Sequence, residues 1–378
     1  MTVNYQSKAP GVYVEEVKST SLSVTSGDTA VPIFAATTTD YGFLGAASGA
    51  YVELNSWLDV TTKIGVANRG STLFRALQAY FMNGGGRCYV CDVDSLDSVV
   101  PQLSDVTLLV QAGVPSVPAQ ADAKKGYLTA ATIEQLCKKP FSLFAILDTL
   151  QGADALTSDG DVNTALVKVG GGSLKNENVA FYYPWLKDGD AFVPPSAVMA
   201  GIYAKVDAER GVWKAPANVA VQGLSVATPI SDDIQGKLNS HTTPINVIRR
   251  FGNDAPVVWG ARTADIGSAL KYVPVRRLFN ALERDIKRSM RLAVFEPNTS
   301  ATWEKVRSSI DHYLYEIWRR GGLMGTTPND AYRVLIGEHV TMSEEDIQNG
   351  HMIAEVAVAA ARPAEFIILR FSEKMVAP

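Results

Sequence analysis

The residues best suited to chemistry are few and scattered. Cys88 and Cys91 have the Cys-x-x-Cys spacing of a zinc or redox pair. They fall inside the β-prone run Cys88-Tyr-Val-Cys-Asp-Val93, away from any helix start, and no second pair follows. They read as buried small hydrophobes. The four histidines, His241, His312, His339 and His351, share no metal-ligand spacing. Gly84-Gly-Gly86 could suggest a phosphate loop, but such loops follow a strand and open a helix, and here the order is reversed. Asp148 closes an apolar run, a position where α/β enzymes place catalytic groups. It has no partner histidine or second carboxylate motif, so it reads as a turn or helix-capping residue. No Gly-x-Ser-x-Gly, Gly-Lys-[Ser/Thr] or His-Glu-x-x-His is present. The expectation is therefore no catalytic residue, no cofactor and no metal, and a protein that is not an enzyme. An α/β-hydrolase-like enzyme would need a nucleophile elbow that the chain lacks. A monomeric binding module would leave two β-prone chain ends unexplained.

One charged cluster remains. Arg284, Lys287, Arg288 and Arg291 lie off the apolar face of a helix expected over Leu278–Ala293, whose inward residues are Phe279, Leu282, Ile286 and Met290. In a chain of net charge −4 this is either solvated surface or a docking face for an acidic partner. The same net charge disfavours a general nucleic-acid or membrane-surface binder. The 378 residues allow two or three domains, and 47% hydrophobic with 20% charged residues fits an ordinary globular protein. No apolar run approaches the roughly 20 residues of a membrane span. The start Met1–Gln6 has no basic and apolar regions of a signal peptide, and the three cysteines fit a reducing compartment. Synthesis in the cytosol is expected.

The elements that must hold these residues alternate between strand and helix. Apolar spacing predicts a helix over Gly70–Phe81, capped by Ser71 or Thr72, then the strand at Cys88. A short helix over Ala131–Lys138 precedes the strand Phe141–Leu147, and Val179–Leu186 is another buried-type strand. Helices between such strands favour a mainly parallel sheet covered on both faces. Ser196 is expected to cap a helix with Met199, Ile202, Tyr203 and Val206 on one face. Asn246–Gly252 and Val257–Thr263 read as strands around a turn, with Gly260 suited to close backbone approach. Ser300–Arg320 is the longest helix, with Trp303, Val306, Ile310, Tyr313, Leu314 and Ile317 on one face. Tyr332–Ile336, Met352–Ala361 and Pro363–Phe371 read as strands. Pro10–Val17 is a lone β-prone run on a Ser/Thr-rich arm. It needs a sheet to join, in this chain or another.

Four blocks resemble one family. They are Pro10-Gly-Val-Tyr-Val-Glu-Glu-Val17, the run from Pro194-Pro-Ser196 to Arg210-Gly-Val-Trp-Lys-Ala-Pro-Ala-Asn218, Trp259-Gly-Ala-Arg-Thr263 with Tyr272-Val-Pro-Val-Arg-Arg277, and Phe295-Glu-Pro-Asn298. They resemble contractile tail sheath proteins of phage tails and related injection machines. The resemblance covers nearly the whole chain and is weakest over 94–130. It implies an α/β and α+β protein. The expected parts are an N-terminal arm with the first part of an inner domain (1–40), an outer α/β domain with a mainly parallel sheet (41–239), and an inner polymerisation domain with a C-terminal arm (240–378). Val12, Tyr13, Val14 and Glu15 of one arm and Phe366, Ile367, Ile368 and Leu369 of the other would enter sheets of neighbouring subunits. Arg284, Lys287, Arg288 and Arg291 become candidates for facing an inner tube. The implied partners are further copies of the chain, sheath paralogues, a tube protein, and baseplate and terminal cap proteins, with no nucleic acid and no membrane insertion. The setting would be a phage tail or tail-like particle assembled in a bacterium and released, with the modest length favouring an injection system or bacteriocin-like tail.

Overall fold

The computed structural model describes residues 23–37, 51–114, 116–117, 126–149, 151, 156, 158, 161–164 and 174–365. Eight strands form the main sheet: β1 Pro32–Ala36, β2 Tyr51–Leu54, β3 Cys88–Asp92, β4 Leu108–Val110, β5 Phe144–Asp148, β6 Val179–Tyr183, β7 Ile245–Arg249 and β8 Val257–Val258. Their order is β8-β7-β6-β5-β4-β1-β3-β2. The six inner strands are parallel, and the edge strands β2 and β8 run antiparallel to their neighbours.

Alternation along each strand sends neighbouring side chains to opposite faces. Phe34, Val90, Val110, Phe144 and Tyr182 face helices α1 (Thr72–Met82) and α3 (Pro195–Glu209). Ile33, Cys91, Leu109, Leu147 and Phe181 face α2 (Ala130–Cys137) and α4 (Asp232–Ser240). Both sheet faces are thus dry, which is why the inner strands are continuous apolar runs.

Several expectations change. The strand at Val179 stops at Tyr183, because Pro184 has no N–H to extend the ladder. Leu186–Asp188 instead joins Ala191–Val193 and Ser225–Val226 in a small antiparallel sheet. Helix α3 has Pro194, not Ser196, in its N-cap position, which supplies no side-chain cap, and Pro195 takes the first helical position where its fixed φ is favourable. It is buried nearly all round, not on one face, because α1 covers the side turned from the sheet. Gly201 permits that approach, since a Cβ there would lie 2.5 Å from the Tyr80 carbonyl oxygen.

A third core gathers α5 (Val273–Met290), α6 (Ser300–Arg319) and the antiparallel pair β9 (Tyr332–Leu335) and β10 (Glu355–Val358). The α6 stripe Val306, Ile310, Tyr313, Leu314 and Ile317 is buried as its spacing predicts, with Trp303 packed at its margin. β1 and, past residue 240, β7 belong to the main sheet as buried runs whose backbone groups the parallel array pairs, and β8 adds to it as an antiparallel edge. The change of core falls between Val273 and Leu278, within the first turns of α5.

Candidate functional site

The residues with potential for chemistry are used structurally. Cys88 and Cys91 are three apart on one strand, so their thiols lie in the cores on opposite faces of the sheet and cannot share a ligand. Burial raises the thiol pKa of Cys91 to about 12 and that of Cys137 likewise to about 12. Among the described residues no cluster of His, Cys, Asp and Glu could hold a metal, and no helix is long and apolar enough to cross a membrane. Asp148 is fully buried at the end of β5. Its Oδ1 accepts from Ser196 N at 2.7 Å, and its Oδ2 accepts from Ser196 Oγ at 2.8 Å and Gly113 N at 3.0 Å. It therefore caps α3 from a neighbouring strand. Burial raises its pKa to about 6 against the lowering effect of those bonds.

The hairpin β9–β10 has the geometry of an unfinished sheet. Tyr332, Val334, Val356 and Val358 pack on the third core, while Arg333 and Glu355 are exposed on the other face. Ala359 N donates to Ala331 O at 2.8 Å, which fixes the phase of the ladder. Antiparallel alternation then turns the backbone groups of Tyr332 and Val334 outward on one edge and those of Val356 and Val358 outward on the other. Among the described residues neither strand pairs with a third along these outer edges. Met352, Ala354, Val356 and Val358 alternate inward against the third core.

The segment just before β1 lies along α5. Gly27 N donates to both carboxylate oxygens of Asp285 at 3.2 Å. Arg288 Nη2 donates to Thr25 O at 3.1 Å and to Asp285 Oδ1 at 3.2 Å, and Tyr313 Oη donates to Asp285 Oδ2 at 2.8 Å. Arg284 Nη2 donates to Asp28 O at 3.0 Å, and burial lowers its guanidinium pKa. Arg277 Nη2 reaches Thr29 O at 3.1 Å while its two amino groups grip Asp207 of α3 at 3.0 and 2.5 Å. Thr29 Oγ1 also donates to Asp207. Asp285 and Arg277 are almost completely buried.

The expected basic face is thus divided. Arg284 and Arg288 hold the chain's own segment 25–28, Arg288 with half of its side chain still exposed, and Lys287 and Arg291 are also exposed. The inward stripe of α5 is Leu278, Ala281, Leu282, Asp285 and Ser289. Ile286 and Met290 pack only at its margin, and Phe279 is half-buried outside this core. Beyond this helix Phe295 is fully exposed with φ 71°.

At the other end of the described chain, Glu365 accepts from Arg262 Nε at 3.1 Å and Nη2 at 2.5 Å. Arg262 Nη1 also donates to Asn239 O at 2.8 Å. Asn246 positions this arginine's backbone, accepting from Arg262 N at 2.7 Å and donating to Arg262 O at 2.8 Å. Gly260 lets the strand pass, because a Cβ would lie 2.9 Å from Asn246 Oδ1. Val12, Tyr13, Val14, Glu15, Phe366, Ile367, Ile368 and Leu369 lie outside the described residues.

Comparison with known proteins places this architecture. Residues 152–264 match the phage tail sheath protein central domain, and residues 265–373 the phage tail sheath C-terminal domain. The chain is 42% identical to the sheath of the PVC extracellular contractile injection system in its contracted state, with 99% of each chain covered and a TM-score of 0.82. It is 36% identical to the contracted helical sheath of the anti-feeding prophage, covering 97% of this chain and all of the other, with a TM-score of 0.77. The tail sheath protein of Enterobacteria phage T4 is 28% identical over 197 residues, which is 51% of this chain but only 29% of the phage protein.

Proposed function

The chain belongs to the phage tail sheath family, and from that footing we propose that it is the subunit of a contractile sheath. In this reading it polymerises helically around an inner tube and contracts to drive the tube through a target envelope. The observation that carries the reading is the hairpin β9–β10, with outward backbone groups on both edges. Val12–Glu15 and Phe366–Leu369 are the strands that would fill those edges in neighbouring copies. Main-chain hydrogen bonds link the copies, and the apolar faces buried with them supply most of the free energy.

The polymerising inner unit then consists of α5, α6 and the hairpin with the two arms, and the large α/β unit faces outward. Flexible links between rigid bodies let subunits rotate and slide without losing connection. The extended form is kinetically trapped, and contraction releases the difference with no nucleotide and no catalysis. Partners are further copies, the tube protein, and baseplate and terminal cap proteins, in a particle assembled in a bacterium. Of the four cations read from the sequence, Lys287 and Arg291 are the two left to face an acidic tube surface.

Negative-stain microscopy of the expressed protein tests this directly. Wild type should form tubes. A chain lacking residues 1–20 should be a folded, soluble monomer that forms none. Connected tubes from the truncated chain would overturn strand exchange through this arm.

A further inference from the structure

Asp285 is out of place by composition. It is a carboxylate on the inward stripe of α5, 1% exposed, between Leu282 and Ser289. A buried carboxylate is costly unless it is fully bonded. Its bonds go to Gly27 N, Tyr313 Oη and Arg288, so one of its main functions is to hold a strap of backbone 258 residues away in sequence. Thr25 O, Asp28 O and Thr29 O of the same strap are held by Arg288, Arg284 and Arg277. Val24 packs at the margin of the third core. The strap is therefore fixed at successive residues, from α5 and α6 on one side and from Asp207 of α3 on the other.

We propose that Asp285 and Gly27 are positioning residues for assembly: they aim the N-terminal arm at the neighbouring copy's hairpin. This rests on the strand-exchange reading above. The need for aiming is geometric. Val12–Glu15 lies about ten residues before the strap, at most roughly 33 Å at full extension. A swing of about 10° at the root displaces such a tip by about 6 Å, more than the ~4.8 Å between paired strands. An unheld root would present the arm over a wide cone, and productive capture would be entropically disfavoured. A Cβ at Gly27 would lie 2.7 Å from the Arg288 guanidinium, the half-exposed tip of a flexible side chain, so a methyl there would push Arg288 away from Thr25 O and Asp285. Glu365 on Arg262 is the corresponding, simpler clamp at the C-terminal root.

The test compares wild type, Asp285→Asn, Gly27→Ala and the chain lacking residues 1–20. Measured are the melting temperature, hydrogen exchange over residues 23–29, and tube yield by microscopy. Gly27→Ala should melt as a folded protein, show at least tenfold faster exchange over 23–29, and give severalfold fewer tubes. Asp285→Asn should do the same with a lower melting temperature, and if it fails to fold, Gly27→Ala decides. Wild-type tube yield from Gly27→Ala despite faster exchange overturns the proposal, as does unchanged exchange in it. If wild type makes no tubes, or the truncated chain makes them, strand exchange itself fails and this inference with it.

Discussion

Asp148 and Gly260 show how one atom's surroundings decide a residue's role. The Asp148 carboxyl has a folded-state pKa near 6, raised by burial above the ordinary value of about 3.9. Between those values the folded chain holds a proton that the unfolded chain has lost. The resulting stability is fully present below about pH 4 and disappears as pH rises through about 6. Asp148→Asn, which cannot titrate, should therefore gain on wild type by about 2–3 kcal/mol between pH 4 and pH 7, as read from urea midpoints at each pH. A constant difference over that range would show that the carboxyl titrates normally. Gly260→Ala should destabilise by roughly 1–3 kcal/mol, since the methyl meets Asn246 within 2.9 Å and 3.1 Å. An unchanged urea midpoint would mean that the two strands can separate at no cost.

At the scale of elements, the basic residues of α5 divide between an observed contact and a proposed one. Arg284 and Arg288 serve the strap, so reversing them to Glu should damage arm placement and reduce every kind of assembly. Lys287→Glu with Arg291→Glu should spare tubes formed by this protein alone and impair assembly around an inner tube. Exposed ion pairs contribute only about 0–1 kcal/mol each, but a helical array repeats them. Normal co-assembly of the second double variant across a range of salt would assign this face to solvent. The hairpin gives a sharper test. Val356 is half-buried and its N–H points outward, so Val356→Pro removes a donor from the receiving edge while keeping the internal ladder. The variant should run as a folded monomer on size exclusion and form no tubes, and tubes of ordinary length would show that this edge receives no strand. Much of this layer was legible beforehand. Helical spacing located α1 and α6, and apolar β-prone runs located β3, β5 and β6, because each buries a whole face. β2 and β4 escaped notice, being four and three residues long and, for β2, partly exposed. The strap clamp could not be read at all, since Gly27 and Asp285 are 258 positions apart, and Arg277 and Asp207 are 70 apart. No local period marks such pairs.

On the scale of the whole molecule, the sequence blocks conveyed the family better than the layout. The expected mainly parallel sheet is present. The chain, however, contributes strands to it from residue 32 to residue 258, then leaves for a separate core. The hairpin has one further consequence, which is a matter of counting. Each copy would offer two loose strands and two vacant edges, so donors and acceptors are equal in number. Under that reading every edge inside a long polymer would be filled and nothing would remain to recruit a stranger. Only the copies at the two ends would keep unfilled edges or unplaced strands. Length control and polarity would then both reside at those ends, where a different protein must close the ledger that the repeating copies leave open.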